Sequence, residues 1–182
     1  MKAMRPINRK KIKVYGFIII AAISILTLWS PTNNYVQVYK AIEKLDISAS
    51  KSSFTFIPDT YRAWVQINAT IGNPTGYRGI GIISLMFDLD FITNTTIVVL
   101  KNGYRMWFKD EPGEPLEPYS NITNSDQLSI NLEKKIDIYE EIQMLQQNGQ
   151  PIELFLHNAA IDTSLFLGRM IIPIGSIPLN DP

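Results

Sequence analysis

The chain contains no cysteine and a single histidine, His157. The first absence rules out a disulfide framework, a thiolate zinc site and a cysteine nucleophile. The second leaves only one side chain that could serve as an imidazole base, and it falls on the outward face or edge of an expected strand, where a solvated histidine is ordinary. Charge is also missing in two places. No acid precedes Glu43, and no charged residue occurs between Val14 and Trp29. No repeat or low-complexity tract is present.

That uncharged run, VYGFIIIAAISILTLW, is the dominant feature. Extended to Thr32 it gives 19 residues, within the roughly 17–25 that a helix needs to cross a bilayer. Six basic residues precede it (Lys2, Arg5, Arg9, Lys10, Lys11 and Lys13), and none follows before Lys40. Basic residues close to a span stay cytoplasmic, so the N-terminus is expected inside and the C-terminal domain outside. Tyr15 and Trp29 fall where amphipathic rings settle at headgroup depth. A cleavable signal would need small residues before its cut, and Leu28-Trp29-Ser30-Pro31 offers a poor site. A pilin-like leader ending at Gly16 lacks an acid five residues on, and Pro31 closes the apolar run early. The expected organisation is a basic cytoplasmic tail (1–13), a transmembrane helix (14–32), a juxtamembrane linker or helix (33–49) and an extracytoplasmic domain (50–182).

All 17 acids follow the run, against 11 of the 17 bases, so the outer part carries a formal charge of −6. Phosphate binding needs a basic face, which excludes nucleic acid as the expected partner. The lipid bilayer and proteins at the membrane or cell surface are the expected ones. Three glycosylation sequons occur, at Asn68, Asn94 and Asn121; Asn73 is excluded by Pro74. Sequons in an isoleucine-rich, cysteine-free outer domain suit an archaeal cell-surface protein.

Ser30 to Asn34 is expected to break the spanning helix, and Tyr35 to Leu45 has helical spacing. Ser48 to Ser53 is polar and reads as a loop before Phe54 to Ile57. Tyr61 to Ile71 alternates strictly, with Ala63, Val65, Ile67, Ala69 and Ile71 on one face and Arg62, Trp64, Gln66, Asn68 and Thr70 on the other, the pattern of a strand with one buried side. After the turn at Gly72 to Gly76, Leu85, Phe87, Leu89 and Phe91 are expected inside, and Ser84, Met86, Asp88 and Asp90 outside. Asn102-Gly103 predicts a hairpin between Ile97–Leu100 and Tyr104–Phe108. Lys109 to Asn121 reads as a loop, and Leu128 to Leu132 as a strand. Asp137 and Glu140 suggest a capping box for a helix ended by Gly149 and Pro151. Ile152–His157 and Leu165–Ile172 are the closing strands. Seven or so short strands with turns between them argue for an antiparallel β-sandwich.

This order resembles the group-2 late-embryogenesis-abundant proteins, which share the water-stress and hypersensitive-response domain. The resemblance spans residues 50–175. It rests on the strand from Val65 ending in Asn73-Pro74, on Leu85-x-Phe87-x-Leu89-x-Phe91, on the proline-containing loop at Leu116–Pro118 before an alternating strand, and on the helix and closing strands from Asp137 to Pro173. Thr75 stands where the family has a second asparagine. Membership would imply a fibronectin-III-like sandwich, often behind one N-terminal anchor, with stress protection in the family name and no catalytic residues to carry over.

No catalytic, cofactor or metal site is expected. Asp88 and Asp90 share a strand face and read as solubilising. Asp110, Glu111, Glu114 and Glu117 match no calcium loop. Asn73 and Pro74 make a structural turn, with proline fixing φ and asparagine bonding local backbone. Trp64 and Met86 on outward faces mark an interaction surface or a covered layer. The expected function is non-enzymatic: an anchored sandwich that binds or supports surface components. The rivals are an accessory subunit of a membrane complex, with Gly16, Ala21, Ala22 and Ser24 allowing close helix approach, and a pilin-like filament protein.

Overall fold

A computed structural model describes residues 9–57, 60–92, 97–108, 115–150, 152–165 and 168–180. The chain divides into two units, one ending at Glu43 and one beginning at Lys44.

The first unit holds one helix, α1 (Arg9–Glu43), of 35 residues. At 1.5 Å per residue it is about 52 Å long, well beyond the ~30 Å of a bilayer's hydrocarbon core. Its segment Phe17–Glu43 is long and apolar enough to cross a membrane. The expected break at Ser30–Asn34 does not occur, because α1 runs through Pro31. Proline removes a single helical hydrogen bond, a loss that membrane helices tolerate when neighbouring groups satisfy the backbone. The segment's polar side chains bond its own turns: Ser24 Oγ donates to Ile20 O at 2.8 Å, and Thr32 Oγ1 to Leu28 O at 2.8 Å.

The second unit is mainly β. Its strands are β1 (Asp46–Ile57), β2 (Arg62–Asn73), β3 (Gly81–Ile92), β4 (Ile97–Trp107), β5 (Ser120–Asn131), β6 (Glu153–Leu165) and β7 (Gly168–Asn180), with one helix, α2 (Ile136–Gln147), between β5 and β6. They form one seven-stranded sheet in the order β4-β3-β6-β7-β1-β2-β5. The sheet is mixed: five neighbouring pairs are antiparallel, but β1 and β7 run parallel, joined only at Ala49–Leu179 and Ser50–Asn180. The edge strands β4 and β5 are linked where Tyr104 Oη donates to Ser129 O at 3.4 Å and Asn124 Nδ2 to Trp107 O. The sheet is therefore nearly a barrel.

Apolar alternation fills its interior. Ala63, Val65, Ile67, Ala69 and Ile71 of β2 are fully buried, and Leu85, Phe87, Leu89 and Phe91 of β3 nearly so. Residues 48–53, expected as a loop, belong to β1, since pairing with β2 satisfies their backbone. Around Tyr139 of α2, rings stack edge to face: Phe56 lies 5.0 Å away and Tyr61 5.3 Å. These contacts hold α2 against β1.

α2 lacks the expected side-chain cap, for Lys135 is its N-cap and Asp137 lies inside the first turn. Its C-terminus behaves as expected. Gly149 takes φ +66°, its N–H bonds Gln146 O at 3.1 Å, and Gln150 N bonds Leu145 O at 2.9 Å, the paired bonds of a Schellman motif. β7 also continues past Pro173, through Pro178, to Asn180. Proline is tolerated in a strand that has a neighbour on one side over most of its length.

Candidate functional site

Asn102-Gly103 does not turn a hairpin; both residues lie inside β4. Phe87 pairs with Tyr104 and Leu89 with Leu100, so residues 101–103 bulge opposite Asp88. Gly103 takes φ +58° there, so the dipeptide's tolerance of positive φ is used by a bulge. β6 bulges one position away, where Asp88 pairs with His157 and Met86 with Ala160, leaving residues 158–159 opposite Phe87 with Asn158 at φ +48°. Asp88 ties the two together: Oδ1 accepts Gly103 N–H at 3.0 Å and Oδ2 accepts Asn158 Nδ2 at 3.2 Å. A groove of about 340 Å³ opens here, lined by Met86, Asp88, Gly103, Tyr104, Arg105 and Asn158. Arg105 crosses it, reaching Met86 Sδ at 2.9 Å and lying 5.0 Å from the Trp107 ring.

Four polar residues of this half of the sheet are buried, Ser84, Asp90, Asp162 and Thr163, contrary to the outward placement expected of the first two; Thr163 Oγ1 donates to Met170 O at 3.2 Å. Ser84 is fully buried and Asp90 nearly so. Ser84 Oγ and Asp90 Oδ1 reach no hydrogen-bond partner among the described residues. Burial pushes the Asp90 carboxyl above its ordinary range, partly offset by His157. His157 Nδ1 lies 3.5 Å from Asp90 Oδ2 and 3.2 Å from Ser176 Oγ. Serine and aspartate therefore share one ring nitrogen, whereas a nucleophilic relay needs them on opposite nitrogens. In this arrangement Asp90 does not orient the imidazole from the nitrogen opposite the serine, as the aspartate of a triad does.

Asp162 carries little outward sign in the sequence. It is fully buried, and Arg169 forks onto it, Nε donating to Oδ1 at 2.8 Å and the second nitrogen to Oδ2. Arg105 stands 3.8 Å from the same oxygen. Arg169's hydrogen bond holds the Asp162 carboxyl below its usual range. The only sequence signal was an acid and an arginine seven residues apart across an expected strand boundary.

The family-motif turn is structural in its geometry. Asn73 is buried; its Oδ1 accepts Thr75 N at 3.1 Å and Thr75 Oγ1 at 2.7 Å, and its Nδ2 donates to Tyr77 O at 2.8 Å. Thr75 thus works in the same bond set. Among the described residues no group of three or more histidines and acids could hold a metal ion. Asp110, Glu111 and Glu114 lie outside the described residues, as does the sequon Asn94.

The other two sequons share one face. Asn68 lies mid-strand, half-buried, between Ser50 of β1 and Ser125 of β5. Asn121 is exposed at the start of β5, its Oδ1 only 2.6 Å from where a side chain on Gly72 would begin. The register lays four rows across β1, β2 and β5. These are Ser48–Thr70–Thr123, Ser50–Asn68–Ser125, Ser53–Gln66–Gln127 and Thr55–Trp64–Ser129. No member is charged or fully buried. Cross-strand bonds order the face, with the Thr70 and Thr123 hydroxyls 2.9 Å apart and Gln66 Nε2 donating to Ser125 Oγ at 3.2 Å.

No protein-family model matches the chain, and no curated protein matches it. Several solved structures are similar in trace. A crystal structure from Bordetella pertussis, described as an ApaA protein, is 11% identical over 76% of this chain and 94% of its own, with a TM-score of 0.42. A protein from Archaeoglobus fulgidus is 12% identical over 75% and 96%, with a TM-score of 0.40. A solution structure described as a late-embryogenesis-abundant protein is 14% identical over 90% and 88%, with a TM-score of 0.32.

Proposed function

We propose that this chain is a single-pass membrane protein whose α1 anchors a non-enzymatic β domain on the outer side, where it binds or supports other surface components. The observation that carries this reading is α1 itself. Its apolar side chains are exposed, from Phe17 (78%) to Trp29 (71%), and none of its spanning window is buried. A helix apolar on all sides suits lipid better than water. The six basic residues before its apolar run favour a cytoplasmic N-terminus.

We read the β domain as a fibronectin-III-like sandwich, with β4-β3-β6-β7 as one layer and β1-β2-β5 as the other. The brief parallel contact of β1 with β7 would be the seam between them. Its acidic balance, its lack of a usable relay at His157 and its ordered polar face all favour binding over catalysis.

Protease treatment of intact cells or spheroplasts tests the topology. The domain after Glu43 should be digested from outside while an epitope placed before Lys2 stays protected. Protection of the β domain until lysis would overturn the reading.

A further inference from the structure

The outer face of β1, β2 and β5 has an unusual chemistry for an acidic domain. Its four rows hold twelve side chains, eleven of them Ser, Thr, Asn or Gln and the twelfth Trp64. Charge occurs only beyond the rows, at Asp46 and Arg62. Strands about 4.8 Å apart and same-face residues about 6.8 Å apart make this a strip some 20 Å long. Hydroxyl and amide groups each present donors and acceptors, and several are already ordered by cross-strand bonds.

We propose that this strip is a binding platform for a neutral polysaccharide. A sugar chain offers hydroxyls that both donate and accept, spaced along an extended ribbon, and apolar ring faces that pack on an aromatic. Trp64, half-buried between Thr55 and Ser129, supplies the ring, with one end apolar and the other wet. Gln66, Asn68 and Ser125 supply the hydrogen bonds along the strip. Charge complementarity selects the occupant. An anionic ligand would call for Lys or Arg on the face, and a protein partner for several aromatic, Met or Arg anchors. The four rows offer one aromatic and no cation. The inference deepens the surface-binding reading by naming its partner class, and it requires Asn68 to contact ligand rather than carry a glycan.

The full chain, expressed without glycosylation and held in nanodiscs free of sugar detergent, is run on native gels cast with β-glucan, galactomannan, dextran or alginate. Retardation by one or more of the three neutral polysaccharides is expected, persisting in high salt. Trp64→Ala should weaken it about tenfold, and Trp107→Ala should leave it unchanged. Ser125→Tyr, on an exposed position, should abolish binding with the melting temperature retained, which guards against misfolding of the tryptophan variant. No retardation by any neutral polymer, preference for alginate that salt abolishes, or full binding by both face variants would overturn the proposal. So would peptide mapping of native protein that finds Asn68 glycosylated. Binding by purified protein is independent of sidedness, so its failure is distinct from failure of the protease test.

Discussion

Asp162 and Asp90 lie one strand apart, both buried, and their environments push their acidities in opposite directions. Arg169's hydrogen bond lowers the first below its ordinary 3.8, whereas burial raises the second above it. For Asp162 the folded state releases the proton more readily than the unfolded chain. Its stabilisation is therefore present above pH 3.8 and lost as pH falls through the lowered value. Asp162→Asn should melt several degrees below wild type near pH 7, and the gap should close in acid; an equal gap at both would show that the charge is not the cause. For Asp90 the sign reverses, with stability lost as pH rises through its raised value. Gly103 carries a separate conformational demand. With φ +58° and nothing within 4 Å of an added side chain, Gly103→Ala should cost about 1 kcal/mol through backbone strain alone, read by chemical denaturation. None of these roles was legible from residue type. Asp88, Asp90 and Ser84 alternate as a solvent face should, yet Ser84 and Asp90 are buried.

At the scale of elements, period was the reliable signal. The inward set of β2 was read residue by residue from alternation, and all five members are fully buried. Ile67→Ala should cost about 2–5 kcal/mol. Gln66→Ala, one position away on the polar face, should fall within about 0.5 kcal/mol. Comparable losses at both positions in urea titrations would contradict the assigned register. Boundaries were harder to read. Pro31 and Pro173 look like stops in the sequence, yet α1 and β7 pass through them, because each proline withdraws only one donor and the surrounding element compensates. Asn102-Gly103 was read as a turn, yet the same positive φ serves a bulge that Asp88 holds in place.

At the scale of the whole chain, zero net charge conceals a division. Every acid and the −6 balance lie after the apolar run, while the six leading bases stand before it. With α1 continuous from Arg9 to Glu43, early termination at Pro31 no longer weighs against a filament-type helix; the missing acid after Gly16 still does. Intact mass of protein extracted from native membranes should retain the first 16 residues, and a species beginning at Phe17 would revive the pilin reading. Native mass spectrometry of the same extract should give a monomer, and a stable larger assembly would favour an accessory subunit.

By itself, the sequence determined the apolar helix, the absence of cysteine chemistry, the mainly β character and the buried faces of β2, β3 and the end of β5. These follow from local periodicity and composition, which need no knowledge of distant partners. Only the tertiary structure decided the mixed sheet order, the burial of Ser84, Asp90 and Asp162, the double bulge around Asp88 and the alignment of uncharged side chains on β1, β2 and β5 into rows. Each of these depends on which strands become neighbours and in what register, and that choice is made by packing between segments far apart in the chain.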